Sequence, residues 1–159
     1  MIASLVMFKD CIDRCPQTQW NESHKDFPFS QVAFHTLFDC DYVFSENAEE
    51  LKEQDFHRKN RNTFGEYEEL EGKIAQRLYE HDFINAYYEY CKVKSISAIS
   101  KKTLDEMMAP KSDVYKTMTK MERYMNAIRH VQHHTAQLGL RLQFITGIEM
   151  EWIGRGYEK

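Results

Sequence analysis

Arg129-His130-Val131-Gln132-His133-His134-Thr135-Ala136-Gln137-Leu138 sits inside a run from Asp113 to Ile145 that contains no proline and no glycine before Gly139. Met121, Tyr124, Ile128, Val131, Leu138 and Leu142 fall on one stripe at helical period, so the run predicts a long amphipathic helix with Asp113 as its N-cap. His130 and His134 are four apart and stack one turn above the other. Gln137 and Arg141 share their face, about a quarter turn from the apolar stripe. His133 points to the opposite side. Two imidazoles at this spacing can reach one cation, as they do in helical metal sites. Three solvated histidines on a polar flank would carry the same spacing, so the choice between these readings rests on the remainder of the chain.

Working outward, three more helices precede this one. The first spans Ile2 to Asp13 and is stopped by Pro16. Gln17 to Asp26 is a polar connection whose Trp20 is expected to pack against the end of the helices. The second opens at Pro28 and runs to Phe44, apolar nearly all round through Phe29, Val32, Phe34, Leu37, Phe38, Val43 and Phe44. A third spans His81 to Ile99. Between the second and third lie some thirty residues, Ser45 to Tyr79, dense in charge. Consecutive helices that run parallel need such a crossover, whereas antiparallel neighbours need only a short turn. A short turn at Thr103 to Met108 precedes the fourth helix. After Ile145, residues 146–159 read as an extended tail anchored by Trp152. The expected fold is therefore all-α: one domain over residues 1–159, a four-helix bundle in the order up, down, down, up. In that order helices two and four are antiparallel, which brings His35, near the start of helix two, to the level of His134. A histidine held by an ordinary core hydrogen bond is the competing account of His35.

Composition limits the function classes. The acids and bases are interspersed and the net charge is −4, which leaves no clustered positive face for phosphates, so nucleic acid is not an expected partner. No apolar run approaches the ~18–20 residues of a membrane span. Met1 to Asp10 is apolar but short and lacks a basic leader, so it reads as the first turns of a helix, with a cytoplasmic location expected. The four cysteines, Cys11, Cys15, Cys40 and Cys91, form no close-spaced framework and read as reduced, buried thiols. Cys11 and Cys15 could supply half of a soft-metal site, but no second thiol pair completes it.

Phe27-Pro28-Phe29-Ser30-Gln31-Val32-Ala33-Phe34-His35 and His130-Val131-Gln132-His133-His134-Thr135-Ala136-Gln137-Leu138 together resemble the DinB/YfiT-like family of metal-binding four-helix bundles. That family has one ligand histidine early in its second helix and an HxxxH pair late in its fourth. The resemblance implies His35, His130 and His134 as ligands of one divalent ion. The family commonly continues Arg-Gly-Gln-Leu; here Thr135-Ala136 replace the first two, while Gln137-Leu138 are kept.

Three imidazoles leave a divalent ion at least one open position, the ligand count of a catalytic site rather than a closed structural one. An all-nitrogen set suits zinc, nickel or ferrous iron. Asp39, one turn after His35, is the first candidate to orient a ligand ring, and Gln137 the second. Tyr42 and Arg141 share the ligand faces as candidate pocket residues, with packing and surface charge as their ordinary roles. The resemblance implies a metal-dependent hydrolase or a transferase that brings a low-molecular-weight thiol to a small-molecule substrate. The alternative is a metal-containing bundle that binds or dimerises without turnover. Glu80, His81 and Asp82, at the start of helix three, could reach the mouth, although charge there also suits the helix dipole. A second helix apolar on all sides suggests a homodimer.

Overall fold

The computed structural model describes residues 1–23, 27–73, 76–110 and 118–156. Among these the helices are α1 (Ile2–Arg14), α2 (Gln17–Trp20), α3 (Phe29–Val43), α4 (Ala48–Glu53), α5 (Asp55–Lys59), α6 (Arg61–Phe64), a 3-10 turn (Glu68–Glu71), α7 (His81–Ser100), α8 (Leu104–Met108) and α9 (Lys120–Thr146). The described residues contain no strand, only an isolated bridge between Pro110 and Thr119. The chain is all-α.

The four long helices contact one another as α1 on α9, α9 on α3, α3 on α7 and α7 on α1. Each contributes to a common core, with Leu5 and Phe8 from α1, Phe34 and Leu37 from α3, Ile84 and Tyr87 from α7, and Val131 and Leu138 from α9. Burial of these apolar side chains is the dominant favourable term holding the helices together. Trp20 is almost fully buried at one end, and its Nε1 donates to the Tyr79 carbonyl at 2.7 Å. All four cysteines are free and buried. Cys11 donates to the Thr135 carbonyl and Cys15 to that of Pro16, and burial pushes both thiols up to about 12. Both are packed groups, and neither belongs to the three-residue cluster found among the described residues that could hold a metal ion.

The crossover between α3 and α7 is built, not structureless. Asn47 caps α4 by accepting the Glu50 N–H at 2.8 Å. Phe64 and Tyr67 lay their rings on Phe34 and Phe38, with centroids 5.8 and 6.3 Å apart. Those rings add to the cover over the apolar side chains of α3. Gly65 adopts φ +60°, and a Cβ there would stand 2.1 Å from Arg77 Nη2, so the turn needs glycine on both counts. Arg77 in turn grips Glu68 with two hydrogen bonds of 2.8 and 2.5 Å. This fork fixes the 3-10 turn against the base of α7.

The start of α9 differs from the sequence expectation. Asp113 lies outside the described residues, and the helix begins at Lys120 behind Thr119. Thr119 Oγ1 accepts the Glu122 N–H at 3.2 Å, and Glu122 Oε2 accepts the Thr119 N–H at 2.7 Å. This reciprocal capping box satisfies two otherwise orphaned donors. Thr119→Ala is expected to cost about 1 kcal/mol, a drop of roughly 2–4 °C in Tm for a chain of this size, read by thermal melting.

The C-terminal segment also departs from expectation. Gly147 ends α9 at φ +72°, but Trp152 is 74% exposed and anchors nothing. Met150 does so instead. Gly139 is buried and leaves a notch in α9, where a Cβ would meet Met150 Cγ at 3.0 Å. A flexible thioether fits that notch, and an indole is too wide for it.

Candidate metal centre

His35 lies in the middle of α3 on the side packed against α9, and His130 and His134 occupy successive turns of α9 facing it. His130 Nε2 stands 3.2 Å from His35 Nε2 and 3.1 Å from His134 Nε2. The ring centroids of His35 and His134 are 5.0 Å apart. One ligand atom from each of the three lies within 4.8 Å of the other two, close enough to hold one metal ion. For comparison, nitrogens at the corners of a tetrahedral zinc site stand about 3.3 Å apart, given Zn–N of ~2.0–2.1 Å.

The backs of the rings are as informative as the fronts. His35 Nδ1 is 2.7 Å from Glu69 Oε2, and His134 Nδ1 is 2.8 Å from Gln137 Oε1. His130 Nδ1 is 3.2 Å from Asp39 Oδ2. Both atoms of that last pair are buried and out of line for a hydrogen bond, so the contact is electrostatic and a small ring rotation would close it. An ionised carboxylate only accepts, as does an amide oxygen, so Glu69 and Gln137 assign a proton to Nδ1 of His35 and His134, and the charge of Asp39 favours the same tautomer of His130. In the neutral rings each Nε2 then turns a lone pair toward the cluster, an arrangement that a shared cation would satisfy; a second proton on His35 would instead donate from its Nε2 to His130 Nε2.

Burial, and next the charge of His35, lowers His130 to about 4; burial, and next His130, lowers His134 to about 4. Both rings are therefore neutral and ready to ligate at physiological pH. Burial also acts to lower His35, but the hydrogen bond and charge of Glu69 outweigh it and raise that ring above its ordinary value. Burial pushes Asp39 up, against the nearby charge of Arg123.

Comparison with protein families, curated proteins and solved structures finds no match for this chain.

Of the residues singled out from the sequence, His35, His130 and His134 come together, with Asp39 behind His130 and Gln137 behind His134. Tyr42 is half-buried against the core. Arg141 spans to two carbonyls, with Nη1 2.8 Å from Phe27 O and Nη2 3.0 Å from Glu22 O. Its guanidinium therefore ties Glu22 and Phe27 to α9. Thr135, where the resembled family has arginine, is buried away from the site and returns its hydroxyl to the Val131 carbonyl at 2.7 Å. His133 is exposed. The residues opening α7 do not join the site. His81 bonds the Ile12 carbonyl and Asn85 and packs on Trp20, while Glu80 and Asp82 are exposed. Glu69 was not foreseen. It comes from the 3-10 turn of the crossover, where no periodicity marks it, and its side chain is only 6% exposed.

The open side of the cluster is a cavity of ≈ 200 Å³ lined by Phe27, Gln31, Val32, His35, His134 and Gln137. It adjoins a larger trough of ≈ 540 Å³ that shares Phe27, Val32 and Gln137 and continues over Leu138, Leu140, Arg141, Phe144 and Ile145. No helix among the described residues is long and apolar enough to cross a membrane.

Proposed function

We propose that the chain is a DinB-like metalloprotein, an up-down-down-up four-helix bundle in which His35, His130 and His134 hold one zinc or nickel ion, ferrous iron fitting the same donors. Its function in this reading is thiol-dependent transfer on a small molecule. The observation that carries it is the convergence of three imidazole Nε2 atoms, with Glu69 and Gln137 hydrogen-bonded behind His35 and His134 and the Asp39 carboxylate 3.2 Å behind His130. Such orienting partners are the usual companions of ligating histidines and are unneeded by solvated ones. The cavity at His35 and His134 supports a site that admits a small molecule over a closed structural one.

Lining chemistry favours transfer over hydrolysis. A divalent ion held here would supply Lewis acidity, making a bound thiol or water more acidic. Hydrolysis also calls for a general base in reach of the attacking water. The described residues around the cavity offer two amides, two imidazoles and apolar groups, but no carboxylate. Asp39 and Glu69 stand behind the rings, where they orient ligands instead of facing a substrate. A thiol needs less help, since its intrinsic acidity already lies near ~8.5. Gln137 and Phe27 would hold it at the mouth.

Untagged protein stripped with a chelator is expected to take up one equivalent of Zn²⁺. Glu69→Ala is expected to weaken that uptake about 10–100-fold, with circular dichroism confirming the helices. The loaded protein should consume a low-molecular-weight thiol against an aryl halide, and the stripped protein should not. Ester hydrolysis without thiol would replace the transferase reading with a hydrolase. Loaded protein that does neither would leave only a binding module.

A further inference from the structure

Gln31 lies one turn before His35 on α3 and lines the same cavity. Its side chain is 6% exposed, and Oε1 is buried with no hydrogen-bond partner. A buried amide oxygen without a donor is costly, and such groups are retained where a ligand or an ordered water completes them. The missing partner is therefore an N–H or O–H donor placed in the cavity, beside the converging imidazoles.

The adjoining trough has the opposite character. Leu140 is 54% exposed and Phe144 83% exposed, leaving large apolar groups facing solvent along one wall. Arg141 is the cation among the described lining residues, with two of its N–H groups held by the carbonyls of Phe27 and Glu22, and the rest of the described lining is apolar apart from Gln19 and Gln137. Because Phe27, Val32 and Gln137 line both spaces, one molecule can occupy them together. An apolar pocket with a few convergent polar groups at one end is the usual form of a small-molecule site.

We propose that the site takes a ligand with two parts: a metal-binding head that donates an N–H or O–H to Gln31, and an apolar arm that lies along Phe27, Val32, Leu140 and Phe144. This rests on the reading of the three histidines as a metal centre. The head is selected by Gln31, and the arm supplies affinity in proportion to the methylenes it buries.

Alkyl hydroxamates test both parts on the zinc-loaded full chain, by calorimetry. Octanohydroxamate should bind at least about 30-fold more tightly than acetohydroxamate if three methylenes are buried, at three- to fourfold each. A Leu140→Ser, Phe144→Ser double variant removes exposed groups, so it should fold and hold zinc normally while losing most of that gain. Gln31→Leu should weaken acetohydroxamate about fivefold, the typical worth of one hydrogen bond, with zinc affinity unchanged. N-methylation of the hydroxamate should erase the difference between Gln31→Leu and the parent. A flat response to chain length overturns the arm, as does a gain that survives the double variant. Self-association that the double variant abolishes, and octanohydroxamate does not compete with, would assign the trough to a second copy and overturn it too. If zinc itself is not held, the metal reading fails; if zinc is held and chain length has no effect, only the present proposal fails.

Discussion

His130→Ala is expected to reduce metal content from about one equivalent per chain to below ~0.1 in protein purified without an affinity tag, because two imidazoles alone leave a divalent ion short of the three-ligand protein set. His130 is the sharpest choice of the three. Its Nε2 is within 3.2 Å of both other Nε2 atoms, so its loss removes the common neighbour and leaves Asp39 facing an empty space. The fold should survive. The three rings are half-buried rather than part of the apolar core, and the helices that carry them are held by Val131, Leu138 and the α3 side chains. Elemental analysis beside a melting curve separates the two effects. An unchanged metal content would end the three-histidine account. The parent protein should also melt higher with metal than without, by mass action, and the variant should not.

Uptake has a pH dependence whose direction follows from His35. Glu69 raises this ring above its ordinary value despite burial, so at the acid side of neutrality His35 carries a proton that the cation must displace. Zinc affinity therefore falls as pH drops through and below that raised value. The lowered values of His130 and His134, about 4, keep those two rings out of the competition until much lower pH.

What the sequence made legible was local or set by chain length. The His130–His134 pair follows from helical period alone, and Gln137 behind His134 is a contact within one turn of the same helix. His35 required a long-range argument: the length of the crossover implies that helices two and four run antiparallel, and that expectation puts residues 35 and 134 at one level. Asp39 was found by spacing from His35, but the ring it backs is His130, because a side chain on α3 one turn along reaches across to α9. Glu69 was hidden because it sits in a 3-10 turn whose position depends on the Glu68–Arg77 fork and the Tyr67 packing. Nothing in a charged connection announces which acid turns inward. The misplaced start of α9 was avoidable, since Thr119-Lys120-Met121-Glu122 is a legible capping box. Trp152 went astray for a different reason. The groove that the tail follows is shaped by the missing side chain of Gly139, which selects Met150.

Asp41→Ala is expected to be the most destabilising change away from the metal centre, although Asp41 touches none of His35, His130 and His134. Its side chain is fully buried between α3, the crossover and α7. Oδ2 accepts His57 Nε2 at 2.7 Å and the Tyr87 hydroxyl at 2.8 Å, while Lys94 pairs with Oδ1. Lys94 reaches on to Ser45 Oγ at 2.6 Å and Gln54 Oε1 at 2.8 Å. One carboxylate thus satisfies a buried imidazole, a buried phenol and a nearly buried ammonium. Removing one partner of a buried ion pair costs about 3–5 kcal/mol, because the opposite charge is left uncompensated, or roughly 6–20 °C in Tm. Asp41→Asn keeps the shape and isolates the charge. Burial alone would push the Asp41 carboxyl up, but the His57 hydrogen bond and the Lys94 charge outweigh it and hold the group below its ordinary value. Its stabilisation is therefore complete above the unfolded-chain value of ~3.9 and is lost as pH falls through the lower folded value. Denaturant titrations below pH 4 should show the parent losing stability with acid more steeply than Asp41→Asn, since the amide has no proton to take up. Parallel slopes would mean that the carboxyl is not ionised in the folded chain. The network's placement gives it a role in the site as well. It clamps α5 to α3 and α7, and the same crossover goes on to deliver Glu69 to His35, so loosening Asp41 should lower zinc affinity without touching a ligand.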